Sequence, residues 1–159
     1  MDKTKHSPVA RARALDAALA LCVVALDRLS KRAVSAALEP DAPKTLIDGV
    51  LGLRLSRNTG AAFGLFADNG WALTALTALI LIGVAVAYFR KPHANAWLRV
   101  GMAAVLAGGL SNLFDRITMG YVIDFIEVLL FRFAIFNVAD IAVVAGTVAM
   151  AVGLLRSEG

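Results

Sequence analysis

The apolar residues of this chain are gathered into four blocks, and each block is about long enough to cross a lipid bilayer. A transmembrane helix needs roughly 20 predominantly apolar residues to cross about 30 Å of hydrocarbon. Hydrophobic residues make up 59% of the 159 residues, whereas soluble domains contain roughly 45–50%. We therefore predict an all-α integral membrane protein that forms a single membrane domain over residues 1–159, with four transmembrane helices at residues 14–30, 71–89, 97–114 and 133–155.

The first block imitates a cleavable secretory signal, because Lys3 and Lys5 precede an apolar run that ends at Cys22. Two details argue against cleavage. Asp16 interrupts the apolar run, and Leu21 is too large for the position before a cleavage site. We therefore expect this block to be retained as a short span.

The segments that join the first two and the last two spans are too polar for the hydrocarbon layer. Leucines alternate with other residues over 51–55, a period of two that is typical of a half-buried strand. Residues 61–66 are expected to return as its partner after a turn at 58–60, and residues 121–126 form a further predicted strand. We predict that these strands form a small sheet, or cradle, on one membrane face.

The orientation follows from the distribution of basic residues. Eight Lys and Arg residues lie on each side of the membrane, so the count alone does not decide it. On the side of the termini they occupy short segments with few acidic residues, and short basic segments weigh most in the positive-inside rule. We therefore place both termini in the cytoplasm, and residues 31–70 and 115–132 become extracytoplasmic.

The composition disfavours several classes of function. The net charge of +4 arises from basic residues at the ends of the blocks, where they can meet lipid headgroups, so we expect membrane lipid as a partner and no nucleic acid. Cys22 is the only cysteine, which excludes an internal disulfide. The only histidines are His6 and His93, so the sequence offers no metal site and implies no cofactor.

Polar and charged residues stand at those ends of the spans that face the extracytoplasmic side. Such residues are costly near hydrocarbon and therefore favour a functional interpretation. A set of helix caps with one ion pair, made by Asp27 or Asp115, is the alternative for any single member. For the ensemble we expect a site composed of Asp27, Asn58, Asn112, Asp115, Arg116, Asp124, Asn137 and Asp140.

Asp124 and Asp140 have apolar neighbours in the sequence and no obvious polar company. Two carboxyl groups that lie close together can share one proton, because two nearby negative charges do not form readily. One carboxylate can then take a proton from water while the other carboxyl group donates one to a peptide carbonyl oxygen. This pattern predicts an aspartic peptidase. No HExxH, GxSG or GxGD motif points to another type of peptidase.

A small proton-coupled transporter is the alternative function, because carboxylates within spans also mark ion pathways. Relay carboxylates would be spread through the membrane depth. Here all of them except Asp16 lie near one face, and no internal repeat is visible.

Five motifs are distributed over nearly the whole chain, in the order DRLSK, RNTGAAFG, GGLSNLFDR, GYVIDF and FNVAD. Together they resemble the bacterial lipoprotein signal peptidases, the signal peptidase II family. The resemblance implies four transmembrane helices with an exterior β-cradle and an active site on the extracytoplasmic face of the bacterial cytoplasmic (inner) membrane. It also implies catalytic Asp124 and Asp140, with supporting roles for Asp27, Asn58, Asn112, Asp115, Arg116 and Asn137.

The same resemblance implies a substrate, a prolipoprotein whose lipobox cysteine already carries diacylglycerol. Cleavage would occur just before that cysteine. Such a substrate keeps its acyl chains in lipid and presents the peptide bond at the interface, where carboxylates at the outer ends of spans can reach it. We expect the enzyme to act as a monomer without a cofactor.

Overall fold

The computed structural model describes residues 8–39, 42–60, 70–90, 95–131 and 133–157. This part of the chain forms four helices and one three-stranded sheet. The helices are α1 (Pro8–Ala37), α2 (Gly70–Arg90), α3 (Ala96–Met119) and α4 (Val138–Leu155), and the strands are β1 (Lys44–Ile47), β2 (Leu51–Asn58) and β3 (Val122–Val128).

Three of the helices in the described residues, α2, α3 and α4, are long and apolar enough to cross a membrane. They contain 21, 24 and 18 residues, and they correspond to the last three predicted spans. The first predicted span falls within α1, which is not among these three helices because charged residues are distributed along it. Its crossing of the membrane stays a prediction.

Helix α3 lies at the centre of the bundle, and its small residues face its neighbours. A Cβ atom added at Gly101 would lie 2.6 Å from the carbonyl oxygen of Gly146 in α4. One added at Gly108 would collide with the carbonyl oxygen of Ala139, and one at Gly109 would collide with the side chain of Leu81 in α2. The absence of side chains at these positions lets the three helices approach closely.

The ends of α3 and α4 differ from the predicted spans. The Asn95 side chain caps the start of α3, and Gly120, with φ of 79°, ends it, so the helix continues past residue 114. Helix α4 begins five residues later than predicted, because Asn137 is its N-cap. The preceding residue Phe136 is instead extended and forms a bridge with Ile126 of β3.

The sheet has the order β1-β2-β3, and both pairs are antiparallel. A turn with Gly49 at φ of 69° joins β1 to β2. The predicted strands in β2 and β3 are confirmed, although β3 runs on to Val128, and β1 was not predicted. The proposed return strand at 61–66 lies outside the described residues. The pairing of β2 with β3 joins the two connecting segments in one sheet, and it places Ser56 opposite Asp124.

A polar cluster joins the first half of α1 to the end of α2 and the start of α3, at the end of the bundle away from β3 and the start of α4. Asp16 of α1 is buried and forms an ion pair with Arg99 of α3. The hydroxyl of Tyr88 in α2 donates to the same carboxylate at 2.8 Å. This cluster joins three helices. The sequence did not reveal it, because its three residues belong to three separate apolar blocks.

Candidate active site

The two carboxylates predicted to form a pair come from adjoining elements. Asp124 lies in the middle of β3 and is 2% exposed. Asp140 lies in the first turn of α4. The chain between them turns back along β3, so that the backbone of Phe136 bonds to Ile126. This return brings the start of α4 beside Asp124.

Asn137 connects the two carboxylates directly. Its side-chain Nδ2 donates to Asp124 Oδ1 at 2.7 Å, and its backbone N–H donates to Asp140 Oδ2 at 3.1 Å. In return, Asn137 Oδ1 accepts the backbone N–H of Asp140 at 2.9 Å, which completes a capping box at the start of α4. The local sequence that starts the helix therefore also sets the relative position of the two carboxylates.

Two further asparagines donate to the remaining carboxylate oxygens. Asn58 Nδ2, at the end of β2, donates to Asp124 Oδ2 at 2.8 Å. Asn112 Nδ2, in α3, donates to Asp140 Oδ1 at 2.7 Å. The expectation that Asp124 lacks polar company was therefore wrong. Its partners come from other elements, and its own strand does not reveal them.

The buried position of Asp124 changes its acidity. Burial raises the pKa of this carboxyl group to about 6, and the hydrogen bond from Asn58 opposes this rise. The negative charge of Asp140 raises the pKa further, while Asn137 and Lys31 lower it. Asp124 can therefore hold or release a proton near neutral pH.

Arg116 also belongs to this group of residues. Its Nη2 donates to the carbonyl oxygen of Gly60 at 3.2 Å, which connects α3 to the end of β2. Its buried Nε has no hydrogen-bond partner among the residues that the structure describes.

A cavity of about 620 Å³ opens onto the two carboxylates. Asp124, Asp140, Asn58 and Arg116 supply its polar lining, at one side. The other walls are apolar and come from the segment before α4 and from the first turns of α4. They are formed by Phe133, Ala134, Ile135, Phe136, Ile141, Val143, Val144 and Ala145.

Asp27 and Asp115 do not line this cavity. Both are 0% exposed, and both accept from buried Lys31 at 2.8 Å. Arg28 donates to Asp115 at 2.6 Å. Asp27 Oδ1 accepts the backbone N–H of Ala139 at 3.0 Å. These carboxylates hold α1 against α3 and the start of α4, much as the alternative of an ion pair anticipated.

Lys31 was not predicted to be a site residue. Its Nζ also donates to Asn112 Oδ1 at 2.9 Å, so it lies directly behind the pair. The signal available in the sequence was its spacing of four residues from Asp27, which places both on one face of a helix. No group of three or more His, Cys, Asp or Glu residues in the described ranges could hold a metal ion.

Comparison with known proteins gives consistent matches over most of the chain. The family model described as signal peptidase (SPase) II matches residues 19–156. A lipoprotein signal peptidase from Gloeobacter violaceus is 40% identical over 139 residues, which are 87% of this chain and 80% of the relative. One from Streptococcus agalactiae is 34% identical over 142 residues, which are 88% of this chain and 91% of the relative.

Two solved structures have a similar fold. One is a bacterial membrane enzyme determined by the in meso method at 2.3 Å resolution. It has a TM-score of 0.78 at 25% identity, and the match covers 92% of this chain and 90% of that enzyme's chain. The other is a bacterial membrane enzyme determined by the same method at 1.9 Å resolution. It has a TM-score of 0.76 at 26% identity, and the match covers 90% of this chain and 94% of that enzyme's chain. Residues 19–156, which match the family model, include β3 and α4, the elements that carry the two carboxylates.

Proposed function

We propose that this chain, which belongs to the signal peptidase II family and removes signal peptides from lipoproteins, hydrolyses the peptide bond as an aspartic endopeptidase with Asp124 and Asp140 as its catalytic pair. The observation that carries this proposal is the shared environment of the two side chains. Both line one cavity, and each of their four oxygens accepts one N–H from an asparagine.

The contrast with the carboxylates behind them supports this assignment. Asp27 and Asp115 are neutralised by Lys31 and Arg28. In the described part of the chain, neither Asp124 nor Asp140 forms an ion pair with a basic side chain. An uncompensated pair of carboxylates beside a cavity favours retention of one proton between them.

The proposed reaction uses a water molecule held between the two carboxyl groups. The ionised carboxylate takes a proton from the water as its oxygen attacks the scissile carbonyl carbon, and the protonated carboxyl group donates to the carbonyl oxygen. The tetrahedral intermediate then breaks its C–N bond. The amine leaves with the proton that was taken from water, and the oxygen returns its proton to the pair, which regains its original state.

The asparagine donors would keep the pair fixed while protons move. Asn58, Asn112 and Asn137 carry no charge, so they orient the carboxyl groups without neutralising them. The Nε–H of Arg116, which has no partner among the described residues, can donate to a backbone carbonyl oxygen of the bound peptide. We assign Arg116 to substrate binding on this basis.

The cavity suits a lipid-modified substrate. Its apolar walls can receive acyl chain or the apolar residues of a signal peptide, while its polar side holds the reacting groups. We propose that the substrate is a prolipoprotein with diacylglycerol on the cysteine that follows the cleaved bond. Each buried methylene would contribute roughly 0.8 kcal/mol to binding.

We further propose a location and a state of assembly. The site would face the extracytoplasmic side of the bacterial cytoplasmic membrane, with α1 as a fourth span and both termini in the cytoplasm. One chain supplies both carboxylates and all their donors, so a monomer suffices. A proton-coupled transporter would need such groups along the membrane depth, and the comparisons give no support for it.

The test uses the purified full chain in detergent and two synthetic prolipoproteins that differ only in the diacylglyceryl group. We expect release of the signal peptide from the lipidated form, with cysteine as the new N-terminus, and more than about tenfold slower cleavage of the other form. EDTA should not change the rate. Equal cleavage of both forms would refute the proposed substrate, and zinc-restorable loss with EDTA would refute the proposed mechanism.

A further inference from the structure

Lys31 lies behind the carboxylate pair and has three acceptors. Its Nζ is 2.8 Å from Asp27 Oδ2, 2.8 Å from Asp115 Oδ2 and 2.9 Å from Asn112 Oδ1. An ammonium group carries three hydrogens, so each acceptor can take one. Two of the acceptors balance the charge of Lys31. The third acceptor, Asn112 Oδ1, is uncharged, so this hydrogen bond does not balance the charge of Lys31.

The three asparagines that touch the pair all have their side-chain oxygen occupied by a donor. Asn58 Oδ1 accepts from Gly60 N–H at 3.0 Å, and Asn137 Oδ1 accepts from Asp140 N–H at 2.9 Å. These donors are backbone groups within three residues. Asn112 Oδ1 instead depends on side chains of other elements, because it accepts from Lys31 and, at 3.1 Å, from Asn137 Nδ2.

The oxygen and the NH₂ group of an asparagine side chain are nearly equal in size, so the amide can be rotated by 180° and still fit the same space. If Asn112 were reversed, its oxygen would face the Asp140 carboxylate and its NH₂ would face the Lys31 ammonium. Both contacts would be repulsive. Lys31, the charged one of the two donors to Asn112 Oδ1, therefore favours, together with Asn137 Nδ2, the orientation in which Asn112 Nδ2 donates to Asp140 Oδ1 at 2.7 Å.

We propose that Lys31 is a positioning residue for peptide cleavage, acting through the amide of Asn112 on the carboxylate of Asp140. This inference rests on the proposed function, because it requires Asp140 to take part in the reaction. It connects α1, which contributes no residue to the cavity lining, to the rate of the chemical step.

The test must avoid leaving a buried carboxylate unpaired. Replacing Lys31 alone would remove one partner from Asp27 and one from Asp115, so the fold could fail for that reason. The variant Asp27→Asn serves as the reference, because adding Lys31→Met to it leaves Arg28 and Asp115 to balance each other. Steady-state cleavage of a lipidated prolipoprotein is then compared with and without Lys31→Met, in the presence of Asn112 and in an Asn112→Leu background.

With Asn112 present, we expect Lys31→Met to lower kcat about 10- to 100-fold, as for a lost hydrogen bond to a charged group, with KM changed less than about twofold. In the Asn112→Leu background the same change should alter kcat less than about threefold. Arg28→Met is the matched control, since it removes another cation from Asp115 without touching Asn112, and we expect kcat to stay within about threefold.

An equal loss of kcat in both backgrounds would overturn the role of Lys31, provided that Asp140→Asn is inactive. A loss with Arg28→Met as large as that with Lys31→Met would also overturn it, because general loosening of α1 would then explain both. Near-normal activity of Asp140→Asn would overturn the proposed function and this inference together.

Discussion

Asn137 and Asp140 cap each other: the side chain of each accepts the backbone N–H of the other, at 2.9 Å and 3.1 Å. The residue that starts α4 is therefore also the residue that fixes the second carboxylate. Because the Asn137 side chain reaches Asp124 as well, the helix start and the two carboxylates form one structural unit.

We predict that Asp124→Asn and Asp140→Asn each reduce the cleavage rate by at least about 10²- to 10⁴-fold, because an amide keeps the shape but cannot exchange the proton. Initial rates on a lipidated prolipoprotein, with helical circular dichroism as the folding check, measure this. Glu127→Gln is the control on the same strand, since Glu127 bonds to exposed Arg54 and not to the pair. A normal cleavage rate with Asp124→Asn or Asp140→Asn would contradict the assignment of these two residues as the catalytic pair.

The rate should depend on pH as a bell-shaped curve. Loss of the shared proton removes the acid, and addition of a second proton removes the base. Because burial raises the pKa of Asp124 to about 6, we expect the descending limb near neutral pH rather than in the range of a solvated carboxylate. Initial rates in a fixed detergent and lipid mixture test this. A rate that still rises at pH 9 would exclude a shared proton.

The same shift predicts how stability changes with pH. The pKa of Asp124 is about 6 when folded and 3.8 in its ordinary state, so the folded chain holds this proton more tightly. Below pH 3.8 the residue has no net effect, and between 3.8 and 6 the folded state becomes progressively less stable. Above 6 the full cost, at most about 3 kcal/mol, is present.

Replacing Asp124 with Asn should therefore become relatively more favourable as pH rises. We expect the difference in melting temperature between Asp124→Asn and the wild type to shift in favour of the variant between pH 4 and pH 8. Thermal unfolding in detergent at both pH values measures it. A difference that is constant with pH would show that the carboxyl group is not destabilised by burial.

Packing of α3 on α4 should limit activity through Gly108. A methyl group there would collide with the carbonyl oxygen of Ala139, the residue before Asp140. We expect Gly108→Ala to lower the melting temperature and slow cleavage at least about tenfold, because a displaced α4 start misplaces the carboxylate. At Gly83 in α2, no atom of the described residues lies within 4 Å of an added Cβ, so Gly83→Ala should be neutral or stabilising by about 1 kcal/mol.

The cluster at the other end of the bundle should affect stability alone. Asp16→Leu leaves Arg99 without its buried partner and should cost about 3 kcal/mol, whereas Tyr88→Phe removes one hydrogen bond and should cost about 1 kcal/mol. The pH dependence of cleavage by the folded fraction should stay unchanged in both variants. A displaced pH curve would indicate that this cluster is coupled to the active site.

The sequence was sufficient for the features that depend on local composition. Helices α2, α3 and α4 follow from runs of apolar residues, and isolated Asp124 and Asp140 stand out because a carboxylate is costly in such surroundings. Asn58 and Asn137 were predicted as members of the site, but their hydrogen bonds to Asp124 were not. Asn58 and Asn137 reach it only through the pairing of β2 with β3 and the return of the chain at Phe136.

The start of α4 and the role of Lys31 were missed for related reasons. The apolar residues 133–136 have the composition of a span, and only the backbone bonds between Phe136 and Ile126 make the segment extended. Lys31 belongs to a charged stretch that continues from a marginal apolar block. Its burial depends on three acceptors, two of which belong to α3.

The polar contacts of α1 with α3 and α4 form in a fixed order relative to translation of the chain. Lys31 finds Asp115 only 84 residues further along the chain, and Asp27 finds the backbone of Ala139 only after 112 residues. When α1 leaves the ribosome, Lys31 can pair only with Asp27 of the same helix, because Asp115 and Ala139 have not yet been translated. Helix α1 therefore completes its contacts only after α3 and the beginning of α4 have been translated.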